Sequence, residues 1–340
     1  MIGLFTLALT VSFSTTVILL KFAEKLNLMD APDGVRKHQH RSIPAIGGIA
    51  IFFTVATVAF TGIKLNNDNL FDYSYILMWA LPCFVMFVVG VYDDIINLTP
   101  AVKLSGQLIA ATVVATSAYF LDIRSDITEN KLLNFMVTVA WIIFVTNALN
   151  FADNHDGVAV VYSIIVSIVF SIIAFATNQD LILLLAITHI GALLGFSKFN
   201  LPEARAYLGD AGSLLLGTSL GVLSLRIDTS APSSQISVSL ILVLFSFLIA
   251  DTYLALRSRI IGNRKMYLGG RDHISHRLQN LGFSKKTTLR IISLGILPSA
   301  ILSIVLNYLK IDLSYLLIAL YLVLFFSIII RLSNVKIDYE

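Results

Sequence analysis

Eleven long apolar segments constrain this chain more than any other feature of its sequence. Each is close to the roughly 20 residues that an α-helix needs to cross the hydrocarbon core of a bilayer. Only 13% of the 340 residues are charged and 57% are hydrophobic, whereas a soluble domain is about a quarter charged. The segments are 2–20, 45–62, 74–92, 101–121, 133–149, 158–177, 181–197, 211–225, 235–256, 288–308 and 313–330. We predict an all-α, polytopic membrane helical bundle of about 11 transmembrane helices, forming one domain over residues 1–340.

The distribution of basic residues predicts the orientation of this bundle. Of the 24 lysines and arginines, 19 fall on one side and five on the other. Because cytoplasmic loops are enriched in Lys and Arg, the richer side is predicted to be cytoplasmic and the N-terminus to lie outside. Five of the six histidines and most clustered acids also fall on the richer side, in segments 21–44, 92–103, 147–157, 198–210 and 257–287. The chemistry is therefore expected in cytoplasmic loops.

Two adjacent acids end the third apolar segment in the stretch VYDD. Asp93 and Asp94 follow an almost unbroken apolar run, and carboxylates at the C-terminus of a helix oppose its dipole. The ordinary interpretation is a solvated helix end. The conflict with the dipole instead favours a functional site in which a nearby cation compensates the two charges.

A second polar stretch, NALNFADNHDG, ends the fifth segment. Asn147, Asn150 and Asp153 recur at helical spacing along one stripe, and Asp156 continues it before Gly157. Amide and carboxylate oxygens at a helix end suit a hard cation such as Mg²⁺. The alternative is a polar hydrogen-bonding seam between helices.

Two further stretches carry groups suited to phosphate and its counter-ions. In YLGDAGS, Asp210 lies in a glycine-flanked turn at a helix start, where backbone N–H groups favour anionic oxygens. In GGRDHISHRL, a polyphosphate clamp is favoured over a zinc site, because no third soft ligand is near the two histidines. Its candidate residues are Arg271, His273, His276 and Arg277.

Three isolated or peripheral features have plainer interpretations. Lys37, His38 and Arg41 lie at the depth of lipid headgroups, where attraction to anionic lipid is the simplest role. His189 is in the middle of an apolar segment with no acid in that segment, which favours a neutral, hydrogen-bonded imidazole. Asp251 either pairs with Arg257 or faces the cytoplasmic cleft.

Taken in order, these motifs resemble the polyprenyl-phosphate N-acetylhexosamine-1-phosphate transferases, members of glycosyltransferase family 4. The resemblance covers about residues 30–290 and rests on RKHQHRSIPAIGGIAIF, VYDD, NALNFADNHDGVA, YLGDAGS, Asp251-Thr252 and HISHRL. It implies transfer of N-acetylhexosamine 1-phosphate, with GlcNAc-1-phosphate the first choice, from a UDP-sugar to undecaprenyl phosphate, releasing UMP. That reaction is the first membrane step of a cell-surface glycan pathway in the bacterial cytoplasmic (inner) membrane.

The resemblance also implies cofactors, partners and residue roles. Mg²⁺, or Mn²⁺ in its place, is the expected cofactor, held by Asp210 and Asn150. Membrane lipid is an expected partner, dimers occur in the family, and no nucleic acid is expected. The expected catalytic residues are Asp93, Asp94, Asp153 and Asp156. The expected substrate-binding residues are Lys37, His38, Arg41, Asn147, Asn200, Arg271, His273, His276 and Arg277.

Two departures from the family pattern leave alternatives open. The chain reads Asp153-Asn154-His155-Asp156-Gly157 where family members often read Asp-Gly-x-Asp-Gly, and it has Ser275 where the last motif often has an extra histidine. Another UDP-N-acetyl(deoxy)hexosamine, as in O-antigen and lipopolysaccharide synthesis, is therefore the alternative substrate. A transporter or flippase is a more distant alternative, because transporters place binding groups near the midplane of the bilayer. A catalytically inactive binding homologue is a third.

Overall fold

The computed structural model describes residues 1–30, 42–65, 73–120, 130–266, 269–335 and 337. Within them the chain forms thirteen α-helices and one antiparallel pair of two-residue strands. The elements are α1 (Ile2–Phe22), β1 (Met29–Asp30), β2 (Ile43–Pro44), α2 (Gly47–Leu65), α3 (Tyr73–Ile96), α4 (Pro100–Phe120), α5 (Lys131–Ala152), α6 (Val158–Ala176), α7 (Asp180–Asn200), α8 (Gly209–Arg226), α9 (Ser234–Leu244), α10 (Ser246–Ile261), α11 (Ile274–Asn280), α12 (Lys285–Leu306) and α13 (Ile311–Ser333). The predicted substrate-binding residues Lys37, His38 and Arg41 lie outside the described residues.

The all-α, polytopic bundle predicted from the apolar segments is confirmed. Among the described residues, nine helices are long and apolar enough to cross a membrane, and the pair α9 and α10, bent by 59°, makes ten if it forms one span. Each predicted segment corresponds to one of these helices, to the bent pair or to α8. The count of eleven spans and the outside position of the N-terminus stay predictions.

Helix α8 lies at the centre of the bundle, packed against α2, α3 and α5. Every residue from Ala211 to Ser224 is buried. Its glycines and hydroxyl residues allow neighbouring backbones to approach closely and supply interhelical hydrogen bonds, such as that between Thr218 and Thr146 of α5, at 3.0 Å. Enclosure explains why α8 is less apolar than the nine spans, since its surface faces protein and not lipid.

The buried histidine of α7 is a hydrogen-bonded packing residue. His189 Nδ1 lies 2.7 Å from the carbonyl oxygen of Leu185, and Nε2 lies 3.0 Å from Oγ of Ser219. Indole Nε1 of Trp79 donates to the same Ser219 oxygen at 2.7 Å. Each polar group therefore has a partner when the imidazole is neutral with its proton on Nδ1, in agreement with the prediction from sequence.

The contact between α3 and α8 gives a first testable prediction. A Cβ added at Gly90 would lie 2.3 Å from the Ala211 Cα, so the two helices have to move apart. We expect Gly90→Ala to lower the free energy of unfolding by about 1–3 kcal/mol through overpacking. Gly295→Ala on α12 is the matched control, because a Cβ there has no heavy atom within 4 Å. Thermal unfolding of both variants in detergent measures the difference, and equal midpoints would contradict this account of the α3–α8 contact.

Candidate active site

The carboxylate of Asp94 joins the end of α3 to the beginning of α8. Its Oδ1 accepts a hydrogen bond from the backbone N–H of Asp210 at 2.8 Å, and its Oδ2 accepts one from Ala211 at 3.0 Å. Gly209 has a φ of +75°, and a Cβ there would lie 2.7 Å from Asp94 Oδ2. Because the N-terminus of a helix carries partial positive charge, α8 compensates a carboxylate that opposes the dipole of its own helix.

A lysine bridges the other two carboxylates of this junction. Nζ of Lys103 forms an ion pair with Oδ2 of Asp93 and lies 3.6 Å from Oδ2 of Asp210. Asp93 is only 4% exposed, and its Oδ1 accepts a hydrogen bond from the backbone N–H of Leu98 at 2.7 Å. Lys103 therefore places one positive charge between two acids at the end of the bundle.

Lys103 is absent from the residues predicted to form the site. The residues around Lys103 form no recognisable motif. In the sequence analysis it is counted only as one of the 19 basic residues on the predicted cytoplasmic side. It lies in the first turn of α4, and only residues 97–99 separate α4 from α3. So short a connection places the beginning of α4 beside the end of α3. The small separation in sequence between Asp94 and Lys103 was therefore the signal that could have predicted Lys103 as a site residue.

The end of α5 contributes an amide to the same cluster. Nδ2 of Asn150 donates hydrogen bonds to Oδ1 of Asp210 and, at 2.9 Å, to Oγ of Ser213. The predicted pair of Asn150 and Asp210 is therefore in direct contact, although the two residues are 60 positions apart. Ser213, one turn into α8, is a further member that the sequence did not indicate.

The oxygen atoms of this cluster suit a hard divalent cation. Asp93, Asp210 and Asn150 supply carboxylate and amide oxygens, which are the ligands that Mg²⁺ prefers. Across the described ranges, no group of three His, Cys, Asp or Glu side chains has metal-binding geometry. Such a cage is not required, because proteins commonly hold Mg²⁺ with one or two carboxylates together with substrate phosphates and water. The donor set therefore fits Mg²⁺.

Asp153 ends α5 beside these acids. Burial, together with the nearby carboxylates of Asp210 and Asp94, raises the pKa of Asp153 well above its usual value of 3.8. A bound cation relieves repulsion of this kind and lowers the pKa again. These four acids, Asp93, Asp94, Asp153 and Asp210, are called the acid cluster below. The acid cluster is therefore a place where added positive charge stabilises the folded protein.

Asp156 connects the turn after α5 to two other elements. Its Oδ2 accepts a hydrogen bond from the backbone N–H of Ala204 at 3.2 Å and lies 3.9 Å from Nζ of Lys285. The neighbouring His155 is 6% exposed, and its Nδ1 lies 3.0 Å from the carbonyl oxygen of Asp156. Burial lowers the pKa of His155, so this imidazole is neutral near pH 7. The predicted role of Asp156 in orienting the nucleotide stays a prediction.

The structure gives Asn147 a different role from the predicted one. Its Nδ2 donates to Oε1 of Gln107 at 2.7 Å and to the carbonyl oxygen of Ile143 at 2.8 Å, while its Oδ1 accepts from Gln107 at 3.1 Å. This reciprocal amide pair joins α4 to α5, as in the polar-seam alternative. The pair uses the donors and the acceptor of Asn147, and the assignment of this residue to substrate binding stays a prediction.

Asn200 ends α7 and retains an unpaired acceptor. Its Nδ2 donates to the carbonyl oxygen of Ala206 at 3.1 Å, which fixes the loop that leads to α8. Its Oδ1 is buried and has no hydrogen-bond partner among the described residues. An unpaired buried acceptor is costly, and the predicted binding of substrate by Asn200 stays a prediction.

His273 lies in a buried network at the beginning of α11. Its Nδ1 bonds to Oδ2 of Asp251 at 2.7 Å, and the backbone N–H of Ile274 donates to the other oxygen of Asp251 at 2.7 Å. Its Nε2 lies 3.3 Å from Nη2 of Arg259, and the residue is 3% exposed. Asp251 therefore pairs with His273 and not with Arg257. In this arrangement His273 positions α11, and its predicted place in the clamp stays a prediction.

Arg277 is also buried in the protein interior, and its predicted place in the clamp stays a prediction. It is 1% exposed. Its guanidinium bonds to five acceptors: the carbonyl oxygens of Asp272, Leu332, Val335 and Leu254, and Oγ of Ser258. A guanidinium has five N–H donors, so none is left for a diphosphate. Arg277 instead ties α11 to α10 and to the end of α13.

Two members of the predicted clamp remain open to a ligand. Arg271 is exposed, and His276 is half-buried with an Nδ1 that has no partner in the described part of the chain. Burial, followed by the positive groups nearby, lowers the pKa of His276 to about 4, so its ring is neutral near pH 7. Ser275, between the histidines, donates to Oδ1 of Asn154. The two departures from the family motifs are therefore in contact with each other.

Comparison with known proteins identifies the family. The glycosyl transferase family 4 model matches residues 76–228. A probable undecaprenyl-phosphate N-acetylglucosaminyl 1-phosphate transferase of Bacillus subtilis is 31% identical over 97% of this chain and 91% of its own length. The chain belongs to glycosyltransferase family 4. A phospho-N-acetylmuramoyl-pentapeptide-transferase of Clostridium beijerinckii is 30% identical over 66% of this chain and 71% of its own length. An undecaprenyl-phosphate α-N-acetylglucosaminyl 1-phosphate transferase of Thermotoga maritima is 28% identical over 63% of this chain and 62% of its own length.

As a member of glycosyltransferase family 4, the chain is a multi-pass membrane transferase. The family match contains the whole acid cluster and ends before α11. The acid cluster brings negative groups, Lys103 and the N-terminus of α8 together at one end of the bundle. Such an arrangement is suited to reactions between phosphates, in which positioning and charge compensation supply most of the rate.

Proposed function

We propose that this family 4 transferase moves N-acetylhexosamine 1-phosphate, GlcNAc-1-phosphate in the first place, from a UDP-sugar to undecaprenyl phosphate. An oxygen of the lipid phosphate attacks the sugar-bearing phosphorus of the donor. The bond from that phosphorus to the oxygen of UMP breaks, giving undecaprenyl-diphospho-sugar and UMP. The names of the relatives and the Lys103 bridge between Asp93 and Asp210 support this proposal. The reaction would begin a cell-surface glycan pathway in the bacterial cytoplasmic membrane.

The contacts of the acid cluster support the following roles for its residues. Lys103 offsets the repulsion between the lipid phosphate and the diphosphate of the donor, and Asp93 holds its ammonium group in place. Asp210 and Asn150 would hold Mg²⁺, which supplies positive charge to the diphosphate and the leaving UMP. Arg271, in the loop before α11, and His276, on α11, would contact the donor. Asn200 offers a buried acceptor, which suits an N–H group of the nucleotide base.

A second sugar is favoured by the contact between Asn154 and Ser275. Both residues differ from the usual family motifs, and Ser275 directly precedes His276. A changed pair at this position favours another UDP-N-acetyl(deoxy)hexosamine, as used in O-antigen synthesis. The lipid acceptor and the bonds made and broken would be the same.

One assay tests both candidates. Membranes containing the protein receive undecaprenyl phosphate, Mg²⁺ and a radiolabelled UDP-sugar, and the lipid fraction is separated by thin-layer chromatography. We expect labelled lipid and free UMP from UDP-GlcNAc, no product with EDTA, and inhibition by tunicamycin. Product from UDP-GalNAc or a deoxy analogue alone would shift the proposal to the second sugar. No product from any donor, with the purified protein folded, would overturn the proposed reaction.

A further inference from the structure

An open cavity of about 510 Å³ lies outside the acid cluster, between α12 and the loop that follows α7. Its lining residues are Leu201, Pro202, Lys286, Leu289, Arg290, Ser293 and Leu294. None of them contacts Asp93, Asp94 or Asp210 through a hydrogen bond or an ion pair. The cavity combines hydrocarbon walls with two cations and is separate from the proposed catalytic site.

The charge and polarity of the cavity change along one face of α12. Lys286 and Arg290 are one turn apart near the beginning of the helix, and both are exposed. In the described part of the chain, neither forms an ion pair with a carboxylate. Leu294, Leu297 and Ile301 continue the same face and are 66%, 40% and 59% exposed. Eight residues of helix, about 12 Å, therefore lead from the first cation to an apolar surface suited to acyl chains.

Two cations followed by an apolar surface along α12 match the anionic headgroup and acyl chains of a membrane phospholipid better than they match a soluble ligand. Lys285, next to Lys286, lies 3.9 Å from Asp156, so α12 begins on the face of the active site. The basic residues predict that face to be cytoplasmic, where the leaflet carries anionic lipids. We propose that the cavity binds one anionic glycerophospholipid, with its phosphate between Lys286 and Arg290 and one acyl chain along Leu201, Leu289 and Leu294.

The cavity is also in mechanical contact with the active-site turn. Gly157 has a φ of +82°, and a Cβ there would lie 3.0 Å from side-chain methyl groups of Leu201 and Leu289. These two cavity walls therefore pack against the turn that carries Asp153 and Asp156. A lipid that orders the walls stabilises this turn, so the bound phospholipid raises both the thermal stability of the protein and the rate of any reaction at the acid cluster.

The test uses the full chain in nanodiscs of phosphatidylcholine with increasing phosphatidylglycerol. The readout is the midpoint of thermal unfolding, which needs no catalytic activity. We expect phosphatidylglycerol to raise the midpoint of the wild type, and K286Q/R290Q to bind it roughly 30-fold more weakly, because two cationic contacts are lost. Ser293→Trp, which fills the cavity and keeps both charges, is expected to remove the shift as well.

The matched control is K21Q/K25Q, with Lys21 in the last turn of α1 and Lys25 in the turn that follows it. These exposed lysines have the same spacing and lie on the same predicted side, but they do not line the cavity. An equal loss of the shift in K21Q/K25Q would show general attraction of the bundle to anionic lipid and overturn the site. An unchanged shift in K286Q/R290Q would overturn it too. If undecaprenyl phosphate displaces phosphatidylglycerol and alone reproduces the shift, the cavity belongs to the lipid substrate and the phospholipid assignment is wrong.

Discussion

Replacing Asp210 with asparagine is expected to lower the rate of sugar-phosphate transfer by at least about 100-fold, a loss typical of removing one preorganised electrostatic group from an active site. Among the described residues, Asp210 is the one acid that contacts both Asn150 and Lys103. Asparagine keeps the shape but removes the negative charge that would hold Mg²⁺. The initial rate of UMP release at saturating substrates and Mg²⁺ measures the effect.

The same Asp210→Asn change is not expected to unfold the protein. The contact of Asp94 with the backbone of α8 does not use the Asp210 side chain, and removing one carboxylate relieves repulsion with Asp153. Stability without Mg²⁺ is therefore expected to change little, because this relief opposes the loss of the contact between Asp210 and Lys103, and the stabilisation by Mg²⁺ is expected to be lost. Asp312→Asn, in the first turn of α13, is the control for loss of an acid elsewhere. Full activity of Asp210→Asn would remove Asp210 from the metal site.

Replacing Asp94 with alanine is expected to lower the free energy of unfolding by about 2–4 kcal/mol. The change removes the acceptor of two backbone N–H groups at the beginning of α8, and both unpaired donors and lost helix caps are costly. Because α8 is the central helix of the bundle, activity falls together with stability. Thermal unfolding of the purified protein in detergent, with transfer activity measured in parallel, checks this result.

Asp93→Asn is the matched comparison for Asp94→Ala. Asparagine at 93 still accepts the hydrogen bond from Leu98, so the local structure is retained, but the ion pair with Lys103 is lost. We expect a large loss of activity with a small change in the unfolding midpoint. Equal losses of stability in the two variants would contradict the division of these adjacent acids into a structural and a functional carboxylate.

The lengths of the apolar segments predicted most of the helices correctly, and the physical reason is simple. In a bilayer, backbone N–H and C=O groups have to bond within their own segment, so an apolar run of sufficient length forms a helix whatever its neighbours are. The segments 2–20 and 158–177 thus became α1 and α6 with small errors at their ends. The same argument is weaker for α8, whose glycines and hydroxyl residues reflect burial against other helices.

The motifs predicted which stretches form the site better than they predicted the role of each residue. Asn150 and Asp210 meet as expected. His273 and Arg277, by contrast, are buried and bonded to protein groups. A motif does not distinguish a basic residue whose donors face a ligand from one whose donors face a carbonyl oxygen. Lys103 was missed because it belongs to no motif, and its contacts with Asp93 and Asp210 come from the position of α4 beside α3.

The sequence by itself determined that the chain is a helical membrane protein, which stretches carry its polar chemistry, and the family to which its motifs point. These properties depend on local composition and spacing, which are readable along the chain. Only the tertiary structure decided that Asp94 supports α8 while Asp93 faces Lys103. Adjacent residues of a helix point about 100° apart, and the neighbour that each side chain meets depends on the packing of helices distant in sequence.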